Sequence, residues 1–152
     1  MYTGLLHTHS LLRWIMLILL IMTVVRSYNG WKSKRSFTPG DKKLTLFTLI
    51  FSHVQLLIGF LLYMVSPIVQ SAMEDMGAAM KDPTLRFYAV EHILVMIIAI
   101  LIITVGNAMA KRAANDTDRF KKIFIYFFIG LVLILASIPW PFMQTGAGRG
   151  WF

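Results

Sequence analysis

Four histidines, His7, His9, His53 and His92, lie within or at the edge of long apolar runs, and the basic segments between those runs contain none. An uncommitted polar side chain is unfavourable in hydrocarbon, so an imidazole at membrane depth usually has a hydrogen-bond partner, a proton to move or a metal to bind. The chain has no cysteine. That excludes disulfides, thiolate-bound iron–sulfur clusters, cysteine zinc sites and covalently attached c-type haem. Any haem would have to be held by histidine or methionine.

A helix rises about 1.5 Å per residue, which gives each histidine a height. Counted from Arg26 and from Ala110, at the inner ends of their spans, His9 and His92 stand about 25 and 27 Å up. His53 is about 13 Å above Leu44, near mid-membrane. His7 falls about 3 Å beyond His9 and points to a different face. Two imidazoles from different helices at one height are what bis-histidine ligation of b-type haem requires, so His9 and His92 are the expected axial pair. Arg13 lies one turn inward of His9 on the same face, where it could meet a haem propionate or Glu91. Trp14 and Tyr88 could border a porphyrin, and Gly59 and Ala99 could admit a flat ring between helices. Met96, one turn inward of His92, reads as a core side chain rather than a thioether ligand.

The same residues allow other chemistry. Helix tilt could bring His53 level with His92, making those two the axial pair. His53 could instead form a quinone or proton site with Gln55, or be satisfied by Thr104 across the bundle. In a purely structural subunit, Arg13 and Glu91 would pair, with His9 and His92 hydrogen-bonded around them, tying the first helix to the third. A third possibility is copper or haem handling by His7, His9 and the methionines Met73, Met76 and Met80. Their spacing predicts one helix face, and thioethers are soft ligands; the plainer reading is an interfacial turn resting on lipid.

The elements that must position these residues follow from composition. The 152 residues are 57% hydrophobic, with a mean hydropathy of +0.68, too apolar for an ordinary soluble domain. Apolar stretches at about 5–25, 44–66, 86–110 and 123–141 each approach the roughly 20 residues that cross a bilayer. The expected fold is one all-α domain over 1–152, a transmembrane four-helix up-down bundle. The first stretch lacks the basic flank and cleavage site of a signal peptide and is read as a retained helix.

Eleven of the fifteen basic residues fall in two connections. Arg26, Lys32, Lys34, Arg35, Lys42 and Lys43 lie in the first; Lys111, Arg112, Arg119, Lys121 and Lys122 lie in the third. The positive-inside rule then puts both connections in the cytoplasm and both termini on the outer, periplasmic side. Topology accounts for the net charge of +8, with anionic lipid as its contact and no call for nucleic acid. Pro39 and Gly40 should stop a helix before the second span, Tyr28–Trp31 should turn, and an aspartate in Asn115–Asp118 should cap the fourth helix. Trp140, Trp151 and Phe152 suit the outer interface. The glycines at 146, 148 and 150 follow no strand and make no phosphate loop.

Leu6-His7-Thr8-His9-Ser10-Leu11-Leu12-Arg13-Trp14, His53-Val54-Gln55-Leu56-Leu57-Ile58-Gly59 and Glu91-His92 together resemble short bacterial four-helix membrane proteins classed as cytochrome b-like. The likeness spans the first three helices. It implies non-covalent haem b and electron transfer at the membrane. The expected arrangement is an inner-membrane bundle whose outer-leaflet haem exchanges electrons with a quinol or a periplasmic carrier. With no soluble domain and no flavin or nucleotide motif, the chain is expected to act as an electron-transfer or accessory subunit of a larger respiratory or redox complex, rather than as an enzyme alone.

Overall fold

The computed structural model describes residues 1–146, so the expectations for Trp151, Phe152 and the glycines at 148 and 150 lie outside the described residues. The protein is all-α, with no strand among those residues. Helix α1 covers Tyr2–Ser33 and α2 covers Pro39–Val65. Three short helices follow: α3 (Pro67–Glu74), α4 (Met76–Ala79) and α5 (Pro83–Arg86). A π-helical turn over Phe87–Glu91 leads into α6 (His92–Lys111), and α7 spans Asp116–Ser137.

Four stretches are long and apolar enough to cross a membrane: Tyr2–Ser33, Pro39–Val65, Pro83–Lys111 and Asp116–Ser137. Only 22% to 39% of each apolar window is buried inside the protein. The remainder, including Ile18, Leu57, Leu101 and Val132, faces outward. Apolar surface on that scale marks a multi-pass membrane protein in contact with lipid.

Helix α1 packs on α2 and α7, and α6 packs on α7 and α2, which leaves α1 and α6 facing each other diagonally. The core between α1, α6 and α7 holds Leu20, Ile103, Phe127 and Ile134. Glycines let the backbones approach: Gly130 lies against Ile103, and Gly106 against Tyr126. Helix α2 turns a polar stripe inward, with Asp41, Thr45, Thr48, Ser52 and Gln55 all buried. Its hydroxyls are satisfied locally, Thr45 by the Asp41 carbonyl and Ser52 by the Thr48 carbonyl. Thr48 also meets Thr23 of α1, oxygen to oxygen at 2.7 Å.

Several boundaries differ from those expected. Helix α1 does not end near residue 25 or turn at Tyr28–Trp31; it continues to Ser33. Gly30 permits this, since a Cβ there would lie 2.6 Å from Phe120 Cζ. The chain turns instead at Lys34, whose φ is 52°. Pro39 and Gly40 form the first turn of α2 rather than a stop before it, because a first-turn proline forfeits no helical hydrogen bond. Asn115, not an aspartate, caps α7 by accepting from the Asp118 N–H. Asp116 accepts from the Phe37 N–H and so ties the two loops together. Met73, Met76 and Met80 do not share one helix face, because Asp75 leaves the helical conformation and caps α4 through the Ala78 N–H.

Candidate functional site

A cavity of about 370 Å³ opens between α1, α2 and α6, with α7 at its back. That is within the roughly 300–1,000 Å³ typical of small-molecule sites. His9 and Arg13 enter it from α1, Gln55 and Gly59 from α2, and His92 and Met96 from α6. His7 and Tyr88 also line it.

The local fold sets His92 in a defined tautomer. The His92 N–H reaches back to the Phe87 carbonyl, a π-helical bond that inserts a residue and sets the rotation of α6 as it begins. Its ring Nδ1 donates to the Ser137 carbonyl at 2.7 Å. That carbonyl is available because Ser137 ends α7 and Pro141, four residues on, has no N–H to offer it. With Nδ1 committed to a backbone carbonyl, Nε2 is left as the lone-pair nitrogen, the arrangement that orients metal-binding histidines.

His9 leans on α2, where a Cβ at Gly59 would lie 3.3 Å from its Cε1. Gln55 donates from Nε2 to the His9 carbonyl at 2.8 Å, holding α1 and α2 together at this level. Among the described residues, His9 Nδ1 and Gln55 Oε1 are buried without a hydrogen-bond partner. Leaving such a group unsatisfied costs about 1–3 kcal/mol. Arg13 places its guanidinium 5.4 Å from the centroid of Trp14, and the Tyr88 hydroxyl donates to the Thr145 carbonyl.

The structure brings His9, Arg13 and His92 together and leaves His53 out. His53 Nδ1 bonds the Leu49 carbonyl at 2.8 Å, and Nε2 meets the Thr104 hydroxyl at 3.3 Å. The Thr104 hydroxyl itself donates to the Ile100 carbonyl at 2.7 Å, so His53 is held among neighbours on α2 and α6. His53 and Gln55 therefore do not form one site, because residues two apart on a helix point to different faces. The Arg13–Glu91 pair of the structural alternative does not form among the described residues: Glu91 is exposed and bonds Arg86 at 2.6 Å. Trp14 packs on Trp140 with centroids 6.2 Å apart. Ala99 sits in the core beneath Gly130 rather than at the cavity wall. Among the described residues no cluster of three His, Asp or Glu side chains is arranged to hold a metal ion.

Gln55 is the site residue that the sequence assigned to the wrong neighbour. The buried residues Asp41, Thr45, Thr48, Ser52 and Gln55 recur every three or four positions, and that period alone aims Gln55 along the bundle interior with Gly59 one turn beyond.

Comparison with protein-family models, with curated proteins and with solved structures finds no match.

Proposed function

We propose that this protein is a membrane-bound, b-type cytochrome-like electron-transfer subunit, with haem b held non-covalently by His9 and His92. The observation that carries the reading is the pair itself: two imidazoles from diagonally opposed helices line one cavity, and His92 has its Nδ1 tied to the Ser137 carbonyl. The donor set fits the group. His9 and His92 would supply the ligating nitrogens, Arg13 a counter-charge for a propionate, and Leu56, Ile93 and Ile100 an apolar wall that lowers the local dielectric. When bound, haem supplies one-electron chemistry. The protein's part is to fix the ligands, exclude water and balance the propionate charge. The open His9 Nδ1 and Gln55 Oε1 favour a ligand over a self-sufficient structural network, which would satisfy its own polar atoms.

The remainder of the reading follows from topology. Contacts between successive long helices run in opposite order, as in Arg26–Asp41 with His9–Gln55, and His92–Ser137 with Ala110–Arg119. That order supports an up-down bundle, with the basic connections in the cytoplasm of a bacterial inner membrane and both termini outside. Haem in the outer half would exchange electrons with a quinol or a periplasmic carrier, within a larger redox complex.

The direct test is a dithionite-reduced minus oxidised absorption spectrum of the detergent-purified protein, with pyridine haemochrome quantification. A sharp b-type α-band at near one haem per chain is expected, and His53→Ala should keep it. A colourless protein, despite adequate haem supply during expression, overturns the assignment.

Gly59→Val tests the cavity without replacing a ligand. Its branched side chain would press on the His9 ring, and overpacking of about 1–3 kcal/mol corresponds to a roughly 5- to 150-fold loss of haem affinity. Haem titration of the apoprotein measures it, and unchanged affinity would mean that the ring does not bind beside Gly59.

A further inference from the structure

A second site lies at the opposite end of the bundle, where α1 meets α7, and owes nothing to the haem reading. Lys32 of α1 holds its Nζ 4.5 Å from the Trp31 ring centroid and 5.7 Å from that of Tyr28. Lys121 of α7 reaches the same indole at 5.8 Å. Carboxylates elsewhere at this end are already engaged: Asp41 with Arg26 and Arg35, and Asp118 with Lys122. Neither Lys32 nor Lys121 takes part in an ion pair among the described residues. An aromatic face attracts a cation but does not cancel its charge, so two ammonium groups gathered on one ring still repel. An anion spanning both would relieve that repulsion.

The rings beneath them say what kind of anion. Trp31 and Phe124 have centroids 5.7 Å apart, Tyr28 and Phe124 5.2 Å, and Phe124 and Phe128 stack at 5.6 Å. Tyr28 is 42% exposed and Phe128 46%. A column of rings thus runs from the paired lysines along α7 into the apolar belt. A headgroup-level charge pair above a lipid-facing aromatic column matches an amphiphile with an anionic head, not a soluble ion.

We propose that the α1–α7 seam at this end binds one anionic phospholipid, its phosphate held between Lys32 and Lys121 over Trp31 and an acyl chain lying along Phe124 and Phe128. The test is native mass spectrometry of the full-length protein in detergent, titrated with dioleoyl phosphatidylglycerol or dioleoyl phosphatidylcholine. Wild type should bind one phosphatidylglycerol in preference to phosphatidylcholine. Lys32→Gln with Lys121→Gln should weaken that first binding event by roughly tenfold or more, given the contribution of each basic residue near a membrane surface. Lys42→Gln with Lys43→Gln removes the same charge from exposed positions of α2 and should leave it intact. Equal weakening by both pairs would mean diffuse attraction and overturn the site, as would equal binding of the two lipids by wild type. Displacement of the phospholipid by excess inorganic phosphate would show anion binding alone and overturn the lipid assignment.

Discussion

Replacing His92 with alanine is expected to abolish the b-type α-band of the purified protein. The change removes the proposed haem ligand, a ring that the Ser137 carbonyl fixes at 2.7 Å. Changes to the partners of ligating histidines alone lower metal affinity by roughly 10- to 100-fold, so loss of the ligand should exceed that. His9→Ala should do the same from the other side of the cavity. A histidine that merely tied α6 to α7 would cost stability when removed, without a spectroscopic signature. Free imidazole separates the two cases: added to His92→Ala with haem, it should enter the vacated space and restore part of the band. If both variants keep the wild-type band, His9 and His92 are not the ligand pair.

The second large effect concerns stability at the basic end. Asp41 is 4% exposed and accepts from Arg26 Nε at 3.0 Å, from Arg35 Nη1 and Nη2 at 2.6 and 2.8 Å, and from the Thr38 N–H and hydroxyl at 2.9 and 2.7 Å. Asp41→Ala deletes one half of the α2 capping box and the carboxylate that joins Arg26 of α1 to Arg35 and Thr38 of the connection. Because Arg26 and Arg35 are 49% and 33% exposed, water would re-solvate them in part, and the loss should be about 2–4 kcal/mol rather than the sum of five charged hydrogen bonds. Thermal unfolding in detergent measures it, with faster tryptic cleavage after Lys34 and Arg35 as the local readout. Asp41→Asn keeps acceptors for Thr38 and should fall between. An unchanged melting temperature in Asp41→Ala would show that the connection is held by Phe37 on Phe120 and by Asp116 instead.

Heights were legible in the chain and rotations were not. Rise per residue is a property of the backbone, so counting from the basic ends put His9 and His92 level and His53 well below them. Which way each ring points depends on how the helices pack. His53 turns to Thr104 while Gln55 turns into the cavity, although both lie in the same apolar segment. Glu91 pairs with Arg86, five residues away, because the π-helical turn brings those positions onto one face. No residue between Arg86 and His92 announces that turn.

What the sequence determined by itself is the helical class, the four spans, the outward apolar surface and the concentration of polar chemistry in a few residues. Apolarity and length fix these locally, since an unpaired backbone in lipid leaves a long apolar segment little choice but helix. The tertiary structure decided the rest. It extended α1 past Gly30 because Phe120 packs into the space left by the missing side chain. It also set His92 by a carbonyl at the end of another helix and gathered Lys32 and Lys121 on one indole. Each of these depends on the angle at which two helices meet, and that angle is fixed by side-chain packing across the whole bundle rather than by any one segment.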